Sequence, residues 1–334
     1  MPASSLSSSA PPQHWVIPYA ASLSEPCVQA LPHLDQLPLP HLHRLLEQLR
    51  PLSTQTGDEY ALSMPHECVL AAAMAWPLDD GHQPWASWWA RQDGVTLEPG
   101  KVWGLLSPGH WLMGRDHLTL LDPESLDLSA TESQALMEAI RPLFEEDGWT
   151  LLWGAPTRWY AAHPSLEGLP TASLDRVVGR NPDVWLTDHP QARPLRRLQS
   201  EVQMLLYQHP INDEREASGL PSVNSFWLSG VGRPPQIQAI PEHIHVCPHL
   251  RTAMLTDDMH GWLEAWAQLD RDILGPLCER LNRGEPFQLT LCGERQAVTL
   301  ATVPAESWVR SCWQGIQRLW RPKTRPLSSH LRVL

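Results

Sequence analysis

The sequence has few lysines, phenylalanines and tyrosines, and it has no long apolar run. Of the 25 basic residues only Lys101 and Lys323 are lysines, and the 17 tryptophans outnumber Phe and Tyr together. No run of about 18 consecutive apolar residues occurs, so the sequence predicts no membrane-spanning helix. The first residues, "MPASSLSSSAPPQHW", lack the basic and apolar regions of a secretory signal. We therefore expect a soluble cytoplasmic protein without a membrane partner.

Common ligand-binding patterns are also missing. The cysteines have no CxxC spacing, so neither a disulfide framework nor a zinc ribbon is predicted; they are Cys27, Cys68, Cys247, Cys278, Cys292 and Cys312. There is no Walker sequence and no GxGxxG pattern. We expect reduced cysteines and no cofactor.

A net charge of -12 argues against a protein that coats nucleic acid or an anionic membrane, because both partners favour a basic surface. One short stretch near the C-terminus differs. In "RLWRPKTRP" cationic residues surround Trp320, as in some contacts with single-stranded nucleic acid; they are Arg318, Arg321, Lys323 and Arg325. A solvated tail is the expected explanation of the stretch, so nucleic acid stays an alternative partner and not the expected one.

The composition predicts a folded chain of short elements. Hydrophobic residues make up 42% of the 334 residues and charged residues 19%, while 33 prolines interrupt the chain often. We expect a disordered lead over 1–13, a globular region over 14–304, and a basic, Trp- and Arg-rich tail over 305–334 that is loosely attached. The globular region is either single or two intimate subdomains that divide near residues 165–190.

Helical and strand patterns mix without a regular βαβ rhythm. Leucines at steps of three and four predict a helix over 194–208, and Ser129 or Thr131 caps another in "ESQALMEAIRPLFEED". A helix over 257–281 is predicted with a break at Gly275-Pro276. The fold class expected is α+β, or a mixed-sheet α/β fold, with a mixed β-sheet, packed helices and many loops.

The stretch "LLYQHPINDEREASGLPSVNSFWLSGVGRPP", residues 205–235, is rich in polar residues and turns. A structural explanation has His209 before Pro210 ending a helix, Asn212 capping a short one, and Gly219 stopping it. An anion site is the other explanation, because a glycine turn and arginines supply donors for phosphate or carboxylate. Its residues would be His209, Asn212, Arg215, Asn224, Gly230, Gly232 and Arg233, with the last three in a turn after the strand 223–229.

Two further loops could complete the walls of such a pocket. "GHWLMGRDH" places His110 and Arg115 between two strands, beside Asp116 and His117, and "TASLDRVVGRN" contributes Arg176 and Arg180. Hydrogen-bonded turns and local ion pairs are the simpler explanation of both loops.

A metal site has one weak candidate. In "HIHVCPH" the residues His243, His245, Cys247 and His249 alternate, so on a strand all four would face one way. Alternating ligands alone rarely close a tetrahedron, so a polar strand face is the expected explanation and no metal is predicted.

From residue 14 to about 302 the chain resembles a little-characterised proteobacterial family of RpfE-type regulatory proteins that are also described as phosphoglycerate mutase-like. The resemblance is carried by "GHWLMGRDHLTLLDP", "TASLDRVVGRNPDVWL", "RRLQSEVQMLLYQHPINDERE", "VNSFWLSGVG" and "LTLCGER". It implies a regulatory role and leaves the activity open.

Residues 203–235 also resemble a segment of the archaeal-type cofactor-independent phosphoglycerate mutases, through L-x-x-H-P-x-N-x-x-R followed by G-x-G-x-x-P. Those enzymes use two metal ions and a Ser or Thr nucleophile. In this chain we find neither an N-terminal Asp-Gly that leads to a nucleophile nor the Asp and His clusters of two metal sites.

We therefore expect a cytoplasmic regulatory or interaction protein that binds an unknown protein partner or a small anionic, phosphorylated or carboxylate ligand, without mutase catalysis. A mutase-like phosphotransferase is the first alternative, and a nucleic-acid-associated accessory protein is the second.

Overall fold

Helices and strands alternate irregularly in the α+β arrangement that the sequence predicts. The computed structural model describes residues 11–114, 118–186, 189–236, 239–303 and 326–334. The strands are β1 (Gln13–Ile17), β2 (Arg50–Thr56), β3 (Trp103–Gly109), β4 (Trp111–Met113), β5 (Leu118–Leu120), β6 (Thr150–Ala155), β7 (Arg158–Ala162), β8 (Ser225–Gly232), β9 (Ile244–Val246), β10 (Phe287–Cys292) and β11 (Gln296–Ala301). The helices are α1 (Glu25–Leu34), α2 (Pro40–Gln48), α3 (Pro65–Ala73), α4 (Trp85–Gln92), α5 (Ala130–Glu146), α6 (Leu174–Val177), α7 (Arg193–Tyr207), α8 (Pro210–Ala217), α9 (Arg251–Leu255), α10 (Met259–Leu269), α11 (Gly275–Asn282) and α12 (Leu327–Leu331).

The chain forms two units. The terminal unit consists of Met1–Gly57 and Pro241–Leu334, and the inserted unit is Asp58–Ile240. Each unit has a sheet of its own, because no strand pairs across the division in the described residues.

The terminal unit contains a five-stranded mixed sheet in the order β2-β11-β10-β1-β9. Strand β1 runs parallel to both of its neighbours, β10 and β9, whereas β11 is antiparallel to β10 and to β2. Val16 and Ile17 on β1 and Leu289 on β10 are fully buried, as are Trp262 and Trp266 on α10. Because the adjacent residues Val16 and Ile17 face opposite sides of β1, both faces of the sheet are buried at this strand.

The helix predicted over 257–281 is continuous, and the predicted break at Gly275-Pro276 is wrong. A π-helical turn, Asp270–Leu274, joins α10 to α11 just before Pro276. Such a wide turn accommodates the missing N–H of proline without ending the helix. The turn also places the buried Asp270 carboxylate next to α2, and Leu42 N–H of that helix donates to it at 2.7 Å.

The last residues of the chain are packed, so the predicted loose attachment is wrong for 326–334. Ser328 donates from its backbone N–H and its hydroxyl to Asp35, and Leu327 and Leu331 are buried. The backbone N–H groups of Arg295 and Gln296 both donate to Leu334 O at 2.8 Å. The four basic residues Arg318, Arg321, Lys323 and Arg325 lie outside the described residues.

The inserted unit contains an antiparallel sheet in the order β6-β7-β3-β8, with a separate β4-β5 hairpin. Side chains alternate across β3, so Trp103 and Leu105 pack with α4 on one face and Leu106 packs with the helices of the other face. On that second face α5 and α7 form the larger core; its members include Leu136, Ile140, Phe144, Leu198, Val202 and Leu206.

Both long helices of this unit were predicted from the sequence. The predicted helix 194–208 is confirmed as α7, whose buried residues include Leu195, Leu198 and Val202. The second is α5, where the Ser129 hydroxyl accepts from Glu132 N–H and the Glu132 carboxylate accepts from Ser129 N–H in a capping box. Ser129 is therefore the cap.

Among the described residues, no helix is both long and apolar enough to cross a membrane.

Candidate functional site

His209 lies at the junction between α7 and α8 and caps the second helix. Its Nδ1 accepts from Ile211 N–H at 3.3 Å, and Pro210 occupies the first helical position. The predicted cap at Asn212 is therefore wrong, because the helix begins two residues earlier and Asn212 lies inside it. Gly219 follows the helix with a φ of 74°, as its predicted role as a helix stop requires.

Asn212 is buried and links three parts of the inserted unit. Its Nδ2 donates to Leu206 O and to Val223 O, each at 2.8 Å, and its Oδ1 accepts from Val223 N–H at 2.8 Å. The amide thus fixes the end of α7 and the start of β8 to α8. Three of the four hydrogen bonds that an Asn side chain can make are with main-chain groups of this unit.

Arg215 is 2% exposed, and its guanidinium donates to three protein groups. Its guanidinium donates to Pro221 O at 2.9 Å, to Leu126 O at 2.5 Å, and to the Glu132 carboxylate at 2.9 Å. Burial opposes ionisation of Glu132, but hydrogen bonds from Ser129 and from Arg215 outweigh it and lower the pKa of Glu132. Arg215 therefore joins α8 to the start of α5.

Asn224 and His110 hold the hairpin β4-β5. Asn224 Oδ1 accepts from Trp111 N–H at 2.7 Å and its Nδ2 donates to Trp111 O at 3.1 Å. The ring of His110 bonds Ser222 O through Nδ1 at 2.7 Å, which makes that nitrogen the donor. Both side chains therefore bond the main chain. Arg115 lies outside the described residues.

Gly230 and Gly232 belong to strand β8, so the predicted turn after residue 229 is wrong. Gly230 has a φ of 61°, and a Cβ there would lie 2.8 Å from Ala86 N. A Cβ on Gly232 would lie 2.7 Å from the Cβ of Pro84. The glycines therefore allow the first turn of α4 to pack against the strand backbone, which is the close approach that excludes a side chain.

Arg233 lies at the far end of β8 from Asn224. Its guanidinium donates to Gly100 O at 2.7 Å and forms an exposed ion pair with Glu167. Nine residues of extended chain span about 30 Å. Asn224 and Arg233 therefore do not line one pocket, and the residues predicted for the anion site fall into two groups at opposite ends of this strand.

Arg176 and Arg180 lie in a third place. Arg176 is 1% exposed on α6, donates to Ser63 O at 3.1 Å, and stacks over the Trp185 ring at 5.9 Å. Arg180 O accepts from Leu120 N–H, which connects this segment to β5.

A polar cluster around the half-buried Glu67 was not identified from the sequence, although Glu67 stands in a recognised helix entry. Its carboxylate accepts from Met64 N–H at 2.9 Å and from the Ser173 hydroxyl at 2.8 Å. Burial is the main cause that raises the pKa of Glu67 to about 7, and Asp175 adds to the shift. The Met64 N–H, the Ser173 hydroxyl and Arg176 oppose it.

The weak metal candidates lie in different environments. His245 on β9 stacks on Trp15 and bonds Gln13 Oε1 at 2.6 Å, whereas Cys247 is 3% exposed and His249 is exposed. The strand ends at Val246, so the four residues do not share one strand face as predicted. In the described part of the chain no three His, Cys, Asp or Glu side chains come together as a metal site.

Comparison with known proteins gives a similarity of fold only. No protein-family model matches the chain, and no curated protein matches it. A cofactor-independent phosphoglycerate mutase from Thermoplasma acidophilum DSM 1728 is similar at 11% identity and a TM-score of 0.36, over 88% of this chain and 90% of that one. The PH0037 protein from Pyrococcus horikoshii is similar at 13% identity and a TM-score of 0.46, over 87% of each chain. These values carry no argument about activity, and the RpfE-type resemblance finds no match.

Proposed function

We propose that this protein is a cytoplasmic regulatory or interaction protein without mutase catalysis, and that residues 203–235 support the fold of the inserted unit. One observation carries the proposal. The polar side chains of Asn212, Arg215 and Asn224 bond main-chain groups, and Arg215 also bonds the Glu132 carboxylate. The same residue types that suggest an anion site thus have structural partners.

An anion at Arg215 would have to displace strong interactions. The guanidinium already neutralises Glu132 and satisfies two carbonyl groups. Removing Arg215 from these groups would leave buried acceptors unsatisfied, at a cost of about 1–3 kcal/mol each. A small phosphate or carboxylate ligand offers no compensation for those acceptors, which favours a structural role for this arginine.

The exposed face of α7 supports an interaction with a protein partner. Met204 and Tyr207, one turn apart, are 77% and 81% exposed, while the opposite face of the helix is buried in the larger core. Met and aromatic residues are enriched at protein interfaces. We therefore place the proposed partner contact on this face.

Catalysis is tested with the purified full-length protein. Interconversion of 2- and 3-phosphoglycerate is measured with Mg²⁺, Mn²⁺, Co²⁺ and Zn²⁺ added separately, and thermal shift is measured with the same two acids. We expect no turnover above the protein-free rate and no shift of the melting temperature. Metal-dependent turnover that a single Ser or Thr substitution abolishes would establish the mutase alternative. A melting shift without turnover would establish an anion sensor.

The interaction is tested by co-purification from the native host, with bound proteins identified by mass spectrometry. We expect a partner that is retained by the wild-type chain and lost by Met204→Glu with Tyr207→Glu. Leu78→Glu is the matched control, because Leu78 is also exposed on the inserted unit. Equal partner recovery with the α7 variant and with the control would disprove this placement.

A further inference from the structure

A cleft in the inserted unit lies beside the buried face of α7. Its walls are mostly apolar and include Leu169, Trp185, Leu195 and Trp227. These four residues are at most 6% exposed. The cleft has a volume of about 300 Å³, part of which is open to solvent. Small-molecule sites are typically mostly apolar clefts of about 300–1,000 Å³ with a few polar groups, so this cleft fits a ligand of the smallest class.

Gln199 supplies a polar group to this cleft. The residue is 8% exposed and lies on the buried face of α7 with Leu198 and Val202. Its Nε2 donates to Phe226 O at 3.3 Å, and among the described residues no group donates to its Oε1. This oxygen is not fully enclosed, so a water-sized molecule reaches it from the cleft that Gln199 lines. Because buried amides nearly always have hydrogen-bond partners, an acceptor left open towards a cleft indicates a ligand.

The cleft is uncharged. No Asp, Glu, Lys, Arg or His side chain of the described residues lines it. A charged ligand would lose its hydration here and gain no ionic partner. The anionic ligands considered for residues 203–235 therefore do not suit this cleft, whereas a neutral ligand does.

The amide of Gln199 specifies the polar part of such a ligand. An amide side chain carries an acceptor oxygen and two N–H donors in one plane, and Phe226 O takes one of the donors. The oxygen and the other N–H match an amide edge, in which an N–H group lies next to a carbonyl group. Trp185 and Trp227 add flat apolar surface against which a ring can pack.

We propose that this cleft binds a small neutral aromatic or heteroaromatic molecule whose amide edge pairs with Gln199. The site goes beyond the proposed function and does not depend on it. Gln199 lies on the buried face of α7, whereas Met204 and Tyr207, which carry the proposed partner contact, lie on its exposed face.

The ligand class is tested on the full-length protein by saturation-transfer difference NMR with three probes. Benzamide has the ring and the amide edge, and we expect saturable binding with a dissociation constant in the millimolar range, because the probe is small and the cleft is open. Methyl benzoate keeps the ring and the carbonyl group but has no N–H, and benzoate is charged, so both are expected to bind at least about tenfold more weakly.

Two results with these probes would overturn the proposal. Without saturable benzamide binding, water is the only occupant of the cleft. With equal dissociation constants for benzamide and methyl benzoate, the amide edge is not recognised. This comparison needs no variant, so it decides the question even where a substitution in the cleft prevents folding.

The position of the site is tested with Gln199→Met, which keeps the length of the side chain and removes both hydrogen-bonding groups. We expect the dissociation constant of benzamide to rise about tenfold. Gln203→Met is the matched control, because Gln203 is exposed on the same helix, and it should bind benzamide as the wild type does. If Gln199→Met folds, as judged by its melting temperature, and binds benzamide unchanged, the probe binds elsewhere and the assignment to this cleft is wrong.

Discussion

Glu67→Gln is expected to stabilise the protein at pH 8 and to remove part of its pH dependence. The pKa of Glu67 in the folded protein is about 7, above its ordinary value of 4.5. The folded state therefore binds this proton more tightly than the unfolded state. Stability from this group is fully present below pH 4.5, falls as the pH rises from 4.5 to 7, and is constant above that.

The magnitude follows from the size of the shift. A rise from 4.5 to about 7 corresponds to at most roughly 3 kcal/mol of destabilisation at pH 8, at 1.36 kcal/mol per pKa unit, because solvent screens part of the effect at a half-buried residue. Glutamine avoids this cost and keeps both contacts: its carbonyl oxygen can accept from Met64 N–H, and its amide can donate to the Ser173 hydroxyl oxygen. We therefore expect Glu67→Gln to be more stable than the wild type by up to about 3 kcal/mol at pH 8, and nearly equal to it at pH 4.5.

Urea unfolding at several pH values between 4.5 and 8, followed by tryptophan fluorescence, measures the difference. Titrating groups that do not interact with Glu67 contribute equally to both proteins and cancel in the comparison at each pH. Glu138→Gln is the control, because Glu138 pairs with Arg141 on an exposed helix face and its pKa is lowered by that hydrogen bond. If the wild type and Glu67→Gln keep the same difference in unfolding free energy at every pH, the raised pKa of Glu67 is refuted.

Two further substitutions test the packing of the inserted unit by their unfolding free energies. Arg215→Met is expected to lower the unfolding free energy by about 3 kcal/mol, because it leaves a charged partner and two carbonyl groups unpaired. Arg233→Met removes an exposed ion pair and should lower it by less than about 1 kcal/mol. Equal losses would contradict the structural role of Arg215. Gly230→Ala is expected to cost roughly 3 kcal/mol from its left-handed φ and its contact with Ala86 N. Gly219→Ala has the same backbone strain with no atom within 4 Å, so it should cost only about 1–2 kcal/mol; a Gly230→Ala loss no larger than that would disprove the close packing.

The sequence predicts the regular elements better than their connections. The leucine spacing of α7 and the capping box of α5 are local signals, so both helices were predicted and are confirmed. The wide turn at Asp270–Leu274 was missed because Pro276 gives the same local signal for a break as for a π-helical turn. The pairing of β1 with β9 and β10, far apart along the chain, has no local signal at all.

The predicted anion site could not be decided from the sequence for a different reason. Asn212 and Arg215 were recognised as candidate site residues. The sequence does not show, however, whether such a polar side chain binds a ligand or a main-chain carbonyl group. Only the positions of Leu206 O, Val223 O and Leu126 O decide between the two. Gly230 and Gly232 are a second example. The same glycine pattern occurs in a turn and in a strand that a helix approaches closely, and the sequence does not distinguish the two.

The pattern H-P-x-N-x-x-R therefore has a structural explanation at every fixed position in this chain. His209 caps α8, Pro210 begins it, Asn212 fixes it to α7 and β8, and Arg215 joins it to α5. The residue pattern therefore gives no argument for an active site, and function has to be argued from the surfaces that the junction leaves exposed.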